Sequence, residues 1–86
     1  LDYGCGSGIL AMAASKFGAS NIDAVDIDDA AVQATVANAS VNNTPLMAGL
    51  PDLANGEYAL VMANILATPL KCLHPCCAHM CKLVVI

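Results

Sequence analysis

Three glycines at alternating positions, Gly4, Gly6 and Gly8, follow closely on an acid, Asp2. A second acid, Asp26, lies 22 residues after Gly4. Glycine has no Cβ, so a turn built from it lets a ligand come close to the backbone. A helix opening after the turn offers unpaired N–H groups. An acid about 20 residues further on, at the end of the next strand, is placed to accept hydrogen bonds from ribose hydroxyls. The spacing therefore points to a nucleotide-type ligand.

The charge at position 2 narrows the ligand. In the dinucleotide fingerprint G-x-G-x-x-G/A a third glycine would fall at position 9, which is Ile9. A pyrophosphate beside Asp2 would also be repelled, so a nicotinamide-dependent oxidoreductase fits poorly. An amino group or a sulfonium would be attracted. S-adenosylmethionine carries both, and is the cofactor these residues favour.

The elements that must position these residues are legible in the hydrophobic pattern. Leu1-Asp2-Tyr3 reads as the end of a strand and Gly4 to Gly8 as a tight turn. Ile9 to Phe17 reads as a helix with Ile9, Leu10, Ala13, Ala14 and Phe17 on its apolar stripe. Gly18 suits a left-handed C-cap. Residues 22–26 read as a second strand, and Asp28 or Asp29 as the cap of a second helix. That helix is expected to bury Val32, Val36 and Ala39 and to end at Asn42-Asn43-Thr44-Pro45. Residues 46–57 are loop-like, with a weak strand signal at 46–50. Tyr58 to Ala63 is an unbroken apolar run, as in a parallel strand buried on both faces. A helix beginning near Pro69 and bent at Pro75 leads to a last strand at 82–86. Strands alternating with helices predict an α/β fold, a parallel sheet with helices on both faces.

With 86 residues the chain is one domain at most, and residues 1–86 read as part of a cofactor-binding domain truncated at both ends. Only 12% of residues are charged, against a usual ~25%, which suggests a core covered by further chain. The absence of an initiator Met agrees with a fragment. Three Lys and no Arg against seven acids give a net charge of −4. No basic cluster could replace counterions on DNA or RNA. No apolar run approaches the ~18 residues of a membrane helix.

Five cysteines are present: Cys5, Cys72, Cys76, Cys77 and Cys81. The odd, crowded set is a poor disulfide framework and reads as reduced thiols. With His74 and His79 the last four could offer metal ligands, but no CxxC knuckle is present and packing is the favoured reading, with no metal assigned. Free thiols fit the cytoplasm, and an organelle is the alternative because the natural N-terminus lies outside these residues.

Asp2-Tyr3-Gly4-Cys5-Gly6-Ser7-Gly8-Ile9-Leu10-Ala11 resembles the first motif of class I methyltransferases, in the form found in ribosomal protein L11 methyltransferases. Ala24-Val25-Asp26-Ile27-Asp28 resembles their second-strand motif, and Asn38-Ala39 with Asn42 resembles the asparagines ending the next helix. Ala63-Asn64-Ile65-Leu66-Ala67, then Pro69-Leu70, resembles the motif after the fourth strand. Asp29 stands where that family usually has proline, and Ala59 where an acid is common. The resemblance implies a Rossmann-like fold and methyl transfer from S-adenosylmethionine to lysine and/or N-terminal amines of a ribosomal large-subunit protein. That substrate would be recognised by an N-terminal domain outside these residues. It implies that Gly4, Gly6 and Gly8 hold the methionine part, with Asp2 near its amino group. It places Asp26 on the ribose and Ile27 against the adenine. Asn64 is implied as the catalytic residue, binding cofactor or orienting the target amine. The alternative from the residues is a non-catalytic remnant serving as an interaction or Cys/His metal-binding module.

Overall fold

A computed structural model describes residues 1–54, 56, 58–63 and the backbone of 82–85. Strand β1 (Asp2–Tyr3) leads through the glycine turn into helix α1 (Ile9–Lys16). Strand β2 (Asp23–Val25), helix α2 (Asp29–Val41) and strand β3 (Met47–Gly49) follow. A short 3₁₀ turn (Pro51–Leu53) precedes β4 (Leu60–Ala63), and β5 is Lys82–Val85. The five strands are ordered β3-β2-β1-β4-β5, and every neighbouring pair is parallel. The expected weak third strand is therefore real. The apolar run at 58–63 enters the sheet only from Leu60; Tyr58 instead donates its hydroxyl to Asp23 Oδ2 at 2.6 Å. The expected helix near Pro69 and the Cys72–Cys81 cluster lie outside the described residues.

Alternation along the strands divides the core between the two faces of the sheet. Leu1, Val25 and Val61 pack with Ala54 on one face, joined by Tyr3, Leu53 and Tyr58. Ala24 and Ile22 pack with Cys5 and Ala11 on the other, joined by Leu46 and Ala48. Asp2, between Leu1 and Tyr3 in sequence, therefore projects toward α1.

Both helices end in the same way. After α1, Gly18 adopts φ +98° and donates to the Ser15 carbonyl, while Ala19 donates to Ala14. After α2, Asn43 adopts φ +52° and donates to Ser40, while Thr44 donates to Ala39. These paired reverse bonds satisfy the last helical carbonyls and need a left-handed residue, which Gly and Asn supply at least cost. At the other end of α2, Asp28 accepts the Ala30 N–H at 3.0 Å, fixing it as the cap.

Two expected apolar stripes are corrected. In α1 the buried residues are Ala11 and Met12, while Ile9 is 68% and Phe17 92% exposed. Asp2 Oδ2 accepts the Ala11 N–H at 3.2 Å and sets which side of the helix meets the sheet. Ile9, two residues away, is then rotated by about 200°, and Phe17 is already the C-cap. In α2 the buried set is Val32, Thr35 and Ala39, and Val36 faces outward. Thr35 takes the inward position because its hydroxyl has polar partners there.

Candidate functional site

The glycine turn leaves the carboxyl end of β1. This is where the chain, having built outward through β2 and β3, returns to place β4 on the other side of β1. Crevices at such switch points are the usual ligand sites of open parallel sheets.

Every peptide of the turn is tied down. Gly4, Gly6 and Gly8 adopt φ values of +82°, +55° and +87°, a region that strains other residues. Gly4 and Cys5 both donate their N–H groups to the Val25 carbonyl, at 2.8 and 2.9 Å. Gly8 donates to the Cys5 carbonyl at 2.8 Å. Gly6 donates to Asp26 Oδ2 at 3.0 Å, and the other Asp26 oxygen accepts the Asp28 N–H at 3.0 Å. Asp26 thus joins the end of β2 to the turn. A carboxylate offers about four lone-pair positions, so both oxygens retain capacity for further donors.

Helix α2 holds the turn from its other side. The Thr35 hydroxyl donates to the Gly6 carbonyl at 2.9 Å and lies 3.2 Å from Cys5 Sγ. Asn38 Nδ2 donates to the Ser7 carbonyl at 2.9 Å. The sequence reading passed over Thr35, and singled out Asn38 only within a resemblance, with no contact assigned. The available signal was a Thr and an Asn three apart, hence on one helical face, in a helix otherwise rich in Ala and Val.

Asp2 is the least comfortable group. It is 1% exposed, and its Oδ1 has no hydrogen-bond partner among the described residues. Burial pushes its carboxyl above the ordinary carboxylate range, opposed by the Ala11 N–H, with the charge of Asp26 adding a smaller upward push. An unpaired buried acceptor costs about 1–3 kcal/mol, and more when charged. A cation bound nearby would offset part of the cost of its charge. Cys5 is also buried, and burial raises its thiol pKa despite the Thr35 hydroxyl. It remains a neutral packing group.

Ile27 directly follows Asp26 and is 83% exposed, an apolar surface beside the acid. Asn64 lies outside the described residues; it follows Ala63, which pairs with Tyr3 in the sheet. No cluster of three metal-ligating side chains occurs among the described residues. No helix there is long and apolar enough to cross a membrane. A cavity of about 700 Å³, lined by Asp23, Leu46, Met47 and Tyr58 among others, opens at the amino ends of the strands, away from the turn.

A parallel sheet in this order, with a triple-glycine turn after β1 and an acid after β2, defines a Rossmann-like α/β methyltransferase fold. The family model described as ribosomal protein L11 methyltransferase (PrmA) matches residues 1–83, and the chain belongs to that family. It is 66% identical over 83 residues to the ribosomal protein L11 methyltransferase of a Polaromonas species, covering 95% of this chain and 28% of that protein. It is 63% identical over 76 residues to the enzyme of Bordetella parapertussis, covering 87% and 25% respectively. The crystal structure of ribosomal protein L11 methylase from Lactobacillus delbrueckii subsp. bulgaricus superposes with a TM-score of 0.66. That pair is 41% identical, over 74% of this chain and 35% of the other. The chain thus spans about a quarter of the length of the curated relatives it matches.

Proposed function

We propose that the full-length protein transfers a methyl group from S-adenosylmethionine to lysine and/or N-terminal amines of ribosomal protein L11. The observation that carries the cofactor assignment is Asp2, a buried carboxylate with one oxygen unpartnered beside a triple-glycine turn. A cation bound over the turn would offset that buried charge. The substrate assignment is carried over from the names of the relatives.

The residues fit this cofactor. Asp2, buried beneath the turn, would set a negative charge near its amino group. Gly4, Gly6 and Gly8 allow its methionine part to lie against the backbone. Asp26 accepts the ribose hydroxyls with the lone pairs left free by Gly6 and Asp28. Ile27 offers its exposed side chain to the adenine. When bound, this cofactor supplies an electrophilic methyl on a sulfonium, a strong leaving group, so little acid–base machinery is needed. Asn64 is assigned to orienting the amine, since its carbonyl can accept an N–H while the nitrogen lone pair stays free. Recognition of the ribosomal protein belongs to a further domain, and neither nucleic acid nor membrane is a partner. The compartment assigned is the cytoplasm.

The test is methyl transfer by the full-length protein to purified ribosomal protein L11, followed by mass spectrometry. Mass gains of one or more methyl groups on L11 amines are expected. Asn64→Ala should lower kcat by about a hundredfold, the scale of lost orientation, while cofactor affinity changes much less. A folded protein that binds cofactor but leaves L11 unmodified would refute the substrate assignment.

A further inference from the structure

We propose that Thr35 and Asn38 are positioning residues for the cofactor: together they lock the peptide planes of the glycine turn in the binding-competent arrangement. This rests on the S-adenosylmethionine reading above.

Three glycines in five residues make a segment with many accessible backbone conformations. A ligand that had to select one of them would bind more weakly, because the ordering cost would fall on the binding step. The bonds from β2 and Asp26 fix the amides of Gly4, Cys5 and Gly6. The Gly8 N–H, held by the Cys5 carbonyl, fixes one edge of the Ser7–Gly8 peptide, while the Gly6–Ser7 peptide has no bond from these partners. Thr35 closes that freedom, and Asn38 adds a second bond to the Ser7–Gly8 peptide. The Thr35 hydroxyl holds the Gly6 carbonyl, and one helical turn later Asn38 holds the carbonyl of Ser7.

Direction follows from the trans peptide, in which C=O and N–H point opposite ways. With its carbonyls drawn to α2, the turn must send the Ser7 and Gly8 N–H groups away from that helix. The Gly8 N–H is then used internally, on the Cys5 carbonyl. The Ser7 N–H is not among the amides that hold the turn, so Thr35 aims a donor off the turn. The geometry at Gly8 reinforces the same contact. A Cβ there would lie 2.9 Å from Thr35 Cγ2 and 3.0 Å from its Oγ1, so α2 rests directly on the turn. Neither residue need touch the ligand; both act through Gly6 and Ser7.

The experiment uses the full-length protein and S-adenosylmethionine itself. Dissociation constants are measured by calorimetry well below the melting temperature, with ligand-free thermal unfolding alongside. Thr35→Val keeps the shape and loses the hydroxyl; Thr35→Ser keeps the hydroxyl and loses the methyl. Asn38→Ala removes the second bond, and Gln33→Ala, on the exposed side of α2, is the control. Thr35→Val and Asn38→Ala should each weaken binding by about five- to tenfold, the scale of one hydrogen bond. Thr35→Ser should restore wild-type affinity even where its melting temperature is lowered. In turnover, KM for the cofactor should rise while kcat stays within about twofold. If wild type binds and both variants bind equally well, the positioning role is wrong and the cofactor reading stands. If folded wild type does not bind, both fall. Should Thr35→Val not fold, Asn38→Ala decides alone.

Discussion

Asp2→Asn is expected to weaken S-adenosylmethionine binding by at least about thirtyfold, or 2 kcal/mol, while leaving the ligand-free protein as stable or more so. The affinity loss follows from removing the charged partner of a desolvated ammonium, which typically costs 2 kcal/mol or more. The stability gain follows from the same burial. Asp2 is 1% exposed and one oxygen is unpartnered, so ionised Asp2 is a cost to the empty fold. Its carboxyl pKa is raised by burial, so over the window between the unfolded and folded values the native state holds the proton more tightly. Its contribution to stability is therefore fully present below the unfolded value and lost as pH rises through the folded value. Asp2→Asn should flatten that part of the stability–pH profile, and cofactor binding should favour the ionised form. Chemical denaturation of the full-length protein across pH, with and without cofactor, reads both effects. Unchanged affinity in Asp2→Asn would contradict the assignment.

The second large effect falls on the fold. Gly8→Ala should destabilise the protein by roughly 2–5 kcal/mol. About 1–2 kcal/mol comes from forcing an L-residue to φ +87°. A further ~1–3 kcal/mol comes from overpacking, because the new Cβ meets Thr35 at 2.9 Å. Against a total of ~5–15 kcal/mol, this approaches complete unfolding for a marginal domain. Two comparisons separate the terms. Gly18→Ala meets nothing within 4 Å and should show the conformational term alone. Adding Thr35→Ser to Gly8→Ala removes the methyl responsible for the closest contact and should recover part of the loss. Urea unfolding of the set measures this, and equal costs at Gly8 and Gly18 would show that Thr35 does not press on the turn.

Much of the candidate site's backbone geometry was legible because its determinants are local. Alternate glycines after Asp2 specify a turn with positive φ values, and Asp28 and Gly18 are caps readable from neighbours a few residues away. Asp26 was singled out by spacing alone, and the sequence carried no sign that it would hold the Gly6 amide. What escaped depended on contacts distant in sequence. The orientation of α1 is set by the bond from Asp2 to Ala11, so counting apolar side chains chose Ile9 and Phe17 wrongly. Thr35 was overlooked because a polar residue is discounted in an apolar stripe. Here it is fully buried, and the group that satisfies it lies 29 positions earlier in the chain.

The central claim is that the glycine turn and its two acids bind S-adenosylmethionine. Its most direct test is a calorimetric titration of that cofactor into the full-length protein, with Asp26→Ala alongside. Saturable micromolar binding is expected, weakened at least about a hundredfold in Asp26→Ala, since two charge-assisted bonds to the ribose are lost. A folded wild-type protein that takes up no cofactor, or an Asp26→Ala variant that binds it as well as wild type, would contradict it.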